Sequence, residues 1–187
     1  MLLVFLLSFS LLPASSEAKV TKKYDKQICA ASKMYLPIPT RLFGCELWKA
    51  QLYQESLLDA NAVSPAGAEG IAQFMPLTWK ERIEKMNLEN VNPRMADVAI
   101  RAGAHYMRDL RRAWTSKRPE KQRMELAQAS YNAGMGNILK AQLKAGGVLD
   151  WETISLYLHK VTGHYSRETR TYVERIWRYW RSWRVLS

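Results

Sequence analysis

Glu55 is the carboxylate whose setting best suits proton transfer. It falls in the last turn of an apolar helical run, ahead of a break at Asn61. The carbonyl end of a helix carries partial negative charge and disfavours an ionised carboxylate. Apolar neighbours Leu52, Leu57 and Leu58 would add desolvation if they surround it, and both effects raise the pKa. An acid kept protonated near neutral pH can protonate the leaving oxygen of a glycosidic bond. Taken alone, Glu55 reads more simply as a solvent-facing side chain, so the case rests on what surrounds it.

The elements that must position it read as helices from about Pro39 onward. Leu47, Gln51 or Leu52, Glu55 and Leu58 recur at helical spacing. Asn61 and the turn residues Ser64-Pro65-Ala66-Gly67 stop that run. Pro76 and Thr78 start a helix through Met86. Val98, Ala102, Tyr106, Leu110 and Trp114 mark one buried face of a third. Further helices are expected over 124–131, over 138–143 closed by Gly146-Gly147, from the cap Asp150 to His159, and over about 167–185. Lys19 to Lys26 is polar and reads as loosely ordered. Nothing alternates with period two for long enough to require a sheet, so the expected fold is a single mainly α domain. The loop from Asn61 to Gly70 is rich in small residues yet lies between apolar helices, a place where rigid scaffolds carry sites.

Four segments then occur in order. Gln54-Glu55-Ser56 comes first, then Ala62 to Pro76 with its Gly70-Ile71-Ala72-Gln73-Phe74-Met75-Pro76 ending. Ser130-Tyr131-Asn132-Ala133-Gly134 follows, and last Glu168-Thr169-Arg170-Thr171-Tyr172-Val173. In these the chain closely resembles the soluble lytic transglycosylase family, whose catalytic domain is related to goose-type lysozyme. Asn92-Pro93 and Gly103-Ala104-His105-Tyr106 also look like the family's intervening helix. The likeness runs from about Leu47 to Val173, and four ordered motifs are a specific signal where one would be weak. Ala72 departs from the pattern, standing where the family often has Met, which implies altered packing or width at one sugar subsite. The basic stretch Arg111 to Arg123 is a longer connection than the family needs.

The resemblance implies a compact lysozyme-like helical fold and, as substrate, the glycan strand of peptidoglycan, cut between N-acetylmuramic acid and N-acetylglucosamine. Glu55 would protonate the bridging oxygen, then accept a proton from the muramic acid C6 hydroxyl as that hydroxyl closes a 1,6-anhydro ring. Intramolecular attack of this kind is worth about 7–11 kcal/mol of barrier, and a second carboxylate to activate water is unnecessary. By the same resemblance Ser64, Gln73 and Met75 line the cleft. Tyr131 and Asn132 face the scissile sugars, and Glu168 holds a sugar or steadies the site. Simpler roles compete: a cap before Pro65 for Ser64, core packing for Tyr131, a salt bridge to Arg167 or Arg170 for Glu168. No cofactor is implied, and His105, His159 and His164 have no ligand-like grouping with the cysteines, so no metal site is expected.

Composition sets the boundaries of these readings. The 187 residues suit one domain, at 48% hydrophobic and 24% charged, and exclude a disordered or collagen-like chain. Twenty-eight Lys and Arg against 17 Asp and Glu give a net charge of +11, which suggests an acidic partner. The apolar run Leu2 to Leu12 is too short for a comfortable membrane span and is followed by Ser16 and Ala18 at small-residue positions. Residues 1–18 therefore read as a signal peptide cut before Lys19, although no base precedes the run, with a retained anchor or a core strand as alternatives. The expected mature domain is 19–187, exported to the periplasm or envelope, where Cys29 and Cys45 can form a disulfide or stay as two buried thiols. A wall enzyme of this kind would serve turnover, a secretion or conjugation machine, or a phage. Two rivals stand beside this reading. One is a water-using muramidase with Asp59 or Glu69 positioning the water. The other is a non-enzymatic basic binder of nucleic acid or membrane, using Arg175, Arg178, Arg181 and Arg184 beside Trp177, Trp180 and Trp183. For that last helix the preferred reading packs Tyr172, Ile176 and the aromatics inward and leaves the arginines solvated.

Overall fold

A computed structural model describes residues 20–185, without the side chain of Val185. The signal-peptide reading lies outside the described residues. Among those described the chain forms ten helices and no strand, with two isolated bridges in the loop after the third helix. Helix α1 (Asp25–Tyr35) starts earlier than the helical patterning suggests. Only Ile28, Ala31 and Ser32 on it are buried, too few apolar positions to stand out in the sequence, yet its other residues ride on a firm contact with α5. Tyr24 and Ile28 carry it into the core, so the expectation of a loose segment up to Lys26 is corrected from Tyr24 onward. Helix α2 (Pro37–Phe43) starts on a proline whose missing N–H has no helical partner to lose. The Cys29–Cys45 disulfide ties α1 to the head of α3 (Glu46–Ser56).

The remaining helices follow the expected order: α4 (Pro76–Lys85), α5 (Ala96–Ala113), α6 (Glu120–Ala133), α7 (Met135–Lys144), α8 (Trp151–Tyr157), α9 (His159–Thr162) and α10 (Tyr165–Val185). The cap at Asp150 accepts Thr153 N–H at 2.7 Å, and Gly146 and Gly147, both at φ +77°, end the run after α7. The helix expected from Asp150 to His159 is two, broken at Leu158.

Helices α3, α5, α6 and α10 form the centre: α10 packs on α3 and α6, and α5 on α6 and α1. Close approach is bought with small side chains along α5, where Ala99, Ala102, Gly103 and Ala104 are buried. A Cβ on Gly103 would lie 2.8 Å from the Trp48 ring. Leu52, Ile71, Ile100, Met107, Leu126, Ile138, Ile154 and Ile176 fill the core, each worth about 1.5–3 kcal/mol relative to exposure. The fully buried Arg82 is held by Asp109 at 2.6 Å and Glu81 at 2.8 Å, with its guanidinium 4.9 Å from the Tyr106 ring centre. On α10, Tyr172, Ile176 and Trp177 are buried, while Arg178 and Arg181 face solvent, which agrees with the inward-packing reading.

Candidate active site

Helix α3 stops at Ser56, five residues short of the expected break at Asn61. Leu57 and Leu58 both take left-handed backbone, φ 56° and 66°, and reverse the chain there. Leu58 then drops into the core, while Leu57 stays 51% exposed. Glu55 sits one residue from this end, half-buried. Ser56 fastens the end to the following loop, its hydroxyl donating to the Ile71 carbonyl at 2.9 Å.

What surrounds the Glu55 carboxylate comes from far along the chain. The Tyr172 hydroxyl on α10 donates a short hydrogen bond to Glu55 Oε1, and Gln51, one turn earlier on α3, hydrogen-bonds the same phenol. Desolvation is the main force on Glu55 and pushes its pKa up to about 8; the Tyr172 bond opposes it and the charge of Glu168 adds to it. Burial, with the Glu55 charge next, also drives the Tyr131 phenol well above its ordinary value. Tyr131 donates to the Ala72 carbonyl at 2.7 Å and is packed among Phe74 and Tyr106, ring centres 6.3 and 5.2 Å away. A carboxyl in this place is protonated at neutral pH and able to give that proton away.

The loop before α4 is built by its own side chains. Ser64 Oγ accepts Ala68 N–H at 2.9 Å, and its backbone N–H donates to Ala68 O. Gln73, at φ 47°, donates from Nε2 to Gly70 O at 2.9 Å and Ala62 O at 3.2 Å. Met75 is the half-buried residue that precedes α4. Gly70, at φ +77°, passes so close to Pro93 that a Cβ would lie 1.8 Å from its carbonyl oxygen. Ala72 is fully buried, its methyl turned toward Gly103. The departure from the family pattern there therefore bears on core packing against α5.

Asn132 and Glu168 meet across α6 and α10. Asn132 hydrogen-bonds the Glu168 carboxyl, whose pKa burial raises, while Glu168 Oε2 is buried without a partner. Glu168 forms this bond and no ion pair with Arg167 or Arg170. Both residues line a pocket of about 180 Å³ with Asn137, Thr162 and Tyr165. The structure thus gathers Glu55, Tyr131, Asn132 and Glu168, and it leaves Ser64 and Gln73 hydrogen-bonded within the loop. The sequence reading missed Tyr172 and Gln51. A signal for Tyr172 was present: it lies four residues after Glu168 and therefore on the same face of α10. Asp59, by contrast, is exposed and caps Asn61 N–H at 2.8 Å, and Glu69 is paired with Arg94 at 2.9 Å.

Comparison with known proteins agrees with this geometry. A family model described as the transglycosylase SLT domain matches residues 46–154, and the chain belongs to that family. Membrane-bound lytic murein transglycosylase F of Actinobacillus pleuropneumoniae serotype 5b is 33% identical over 174 residues, covering 81% of this chain and 35% of that protein. The protein of the same name in Shewanella sp. strain ANA-3 is 38% identical over 93 residues, covering 50% and 18%. The chain thus spans about a third or less of the length of these relatives. The crystal structure of the 70 kDa soluble lytic transglycosylase of Escherichia coli superposes with a TM-score of 0.66 at 23% identity, over 87% of this chain and 24% of that one. An inactive glutamate-to-glutamine mutant of lytic transglycosylase Slt from Pseudomonas aeruginosa gives 0.59 at 26% identity, over 84% and 24%. The lysozyme-like helical fold expected from the sequence is the fold shared with them.

Proposed function

We propose that the protein is a lytic transglycosylase of the cell envelope, with Glu55 as its single general acid and base. The observation that carries this reading is a protonated carboxyl at the end of α3, held by Tyr172 and raised to a pKa of about 8. Glu55 gives its proton to the oxygen bridging N-acetylmuramic acid and N-acetylglucosamine. The resulting carboxylate, with the Tyr172 hydroxyl donating to it, takes the proton of the C6 hydroxyl as that oxygen bonds to the anomeric carbon. One proton leaves and returns, one C–O bond breaks and another forms, and no water is consumed. Intramolecular attack makes a second catalytic carboxylate unnecessary. Glu168 and Asn132 bind the flanking sugar, and Tyr131 fixes the backbone at Ala72 that walls the site. Ser64 and Gln73 act by holding the loop in shape, and Met75 by closing its apolar side.

Support comes also from the relatives, which are named lytic murein transglycosylases, and from the glutamate-to-glutamine change that accompanies inactivity in the Pseudomonas protein. Residues 19–187 act as one catalytic domain once 1–18 have directed export, and the Cys29–Cys45 disulfide fits an oxidising compartment. The net charge of +11 holds the protein on an anionic wall and raises its encounter rate. It serves wall remodelling on its own or within a secretion, conjugation or phage assembly. The test is Glu55→Gln in purified protein: it should keep the helical spectrum of the parent and lose wall-solubilising activity by about a thousandfold or more, whereas a variant that still clears walls at the parent rate would remove Glu55 from the chemistry.

A further inference from the structure

Gln51 sits one turn before Glu55 on α3, four residues away and so on the same face of the helix. It is 1% exposed, and an amide buried to that degree must find its partners inside the protein. Its Nε2 donates to Met107 Sδ on α5 at 3.3 Å, and the amide also hydrogen-bonds the Tyr172 phenol on α10. Tyr172, itself buried, donates to Glu55 Oε1. Four side chains thus run in series: Met107, Gln51, Tyr172 and Glu55.

The chemistry of each group sets the direction of the series. A thioether sulfur carries no proton and can only accept. Met107, fully buried, therefore selects the orientation in which the amide turns its NH2 side, not its carbonyl, towards the sulfur. An NH2 group only donates, so the Tyr172 oxygen is the acceptor in its bond with Gln51. The electrostatics at Tyr172 agree: burial raises its pKa most, Glu55 and Tyr131 add to that, and the Gln51 bond opposes them, as a donated N–H does. A phenol has one proton to give. With its oxygen accepting from Gln51, Tyr172 keeps that proton on Glu55. Bonds in such a run polarise one another, so the N–H donated to the phenol also makes it a stronger donor.

We propose that Gln51 is a positioning residue for the Glu55 reaction: pinned by Met107, its amide fills the acceptor side of the Tyr172 oxygen and commits the phenol proton to Glu55. Its part in cleavage rests on the Glu55 reading above; the direction of the series does not. The groups that act on the Glu55 charge are Tyr172 and Glu168 from α10 and Tyr131 from α6, and Gln51 works through the first of these. Without it the phenol proton can turn away, the carboxylate form loses its donor, and Glu55 holds its proton more tightly.

The test is NMR of the whole protein labelled at its glutamate carboxyls, without substrate, with Glu55→Gln used to assign the Glu55 signal. Gln51→Met keeps the length and apolar fit beside Met107 and removes the donor. The Glu55 titration midpoint should then rise by about half a pH unit, a factor of about three. Turnover on soluble glycan strands should fall about threefold with KM unchanged. In a Tyr172→Phe background the same change should move the midpoint no further. If Gln51→Met does not fold, Met107→Leu decides: it frees the amide to turn and should raise the midpoint in the same direction by less. A midpoint that stays in place, or a rise that persists undiminished in the Tyr172→Phe background, would overturn the proposal. A rise through Tyr172 in a protein whose Glu55→Gln variant still cuts walls would uphold the series of bonds and overturn the Glu55 reading.

Discussion

On the reading proposed for the site, its chemistry comes down to one proton on Glu55 and the phenol that faces it. Desolvation raises the carboxyl's pKa to about 8 from an ordinary 4.5. Between those values the folded protein holds a proton that the unfolded chain has released. Stability must therefore fall as pH rises through that window, by at most about 1.4 kcal/mol per pH unit from this group. Glu55→Gln removes that part of the slope, and urea unfolding of parent and variant at pH 5 and pH 8 measures it; equal slopes would place the titration elsewhere. Tyr172 stabilises the ionised form, because its hydrogen bond lowers the Glu55 pKa. Tyr172→Phe should accordingly move the alkaline limb of the activity profile to higher pH and reduce turnover about tenfold, since the carboxylate that must receive the C6 proton loses its donor. A limb that stays in place, or moves down, would contradict the bond's assigned role.

At the scale of elements, the site depends on where α3 ends and how the next loop is folded. The turn at Leu57 and Leu58 brings Glu55 to the helix end, and Gly70 lets the loop pass against Pro93. Gly70→Ala would add strain at φ +77° and a clash with a backbone carbonyl, so a loss of about 2–4 kcal/mol is expected in denaturant melts. A loss below 0.5 kcal/mol would mean the loop has another path. Sequence patterning revealed most of the helices from α3 to α10, because Leu, Ile and Ala recur on their buried faces and Pro76, Asp150 and Gly146-Gly147 punctuate them. It missed α1, whose sequence shows only Ile28, Ala31 and Ser32 to the core. It carried the α3 helix too far, since Leu57 and Leu58 extend the apolar pattern while their backbone has already turned left-handed. Glu55 was legible from its place near a helix end within known motifs. Its bond to Tyr172 was not, because those residues are separated by 117 positions and no local spacing encodes such a contact. Gln73 shows a further limit: the resemblance gave it a place in the cleft, but nothing local in the sequence announced that its amide donates to Gly70 O and Ala62 O and braces the loop.

Across the whole molecule, the α1–α2 segment is held on the helical core by packing against α5 and by the Cys29–Cys45 bond, Cα to Cα 4.9 Å. A loop with a sequence separation of 16 is worth about 3 kcal/mol when closed in this way. The double variant Cys29→Ser, Cys45→Ser should lose that stability and keep its cleavage rate well below the melting temperature; a large fall in rate at constant fold would instead tie α1 to the site. Charge works at the same scale. On the proposed reading, the excess of +11 would govern attachment to the wall and be weakened by salt, while the bond-breaking step would belong to the Glu55 pocket. The account's central claim is that Glu55 directs attack by the substrate's own hydroxyl, and the mass of the fragments released from purified peptidoglycan tests it most directly. The account predicts fragments ending in 1,6-anhydromuramic acid, one water lighter than hydrolysis products, which disappear with Glu55→Gln. Fragments with reducing muramic acid ends would contradict it and make the protein a muramidase.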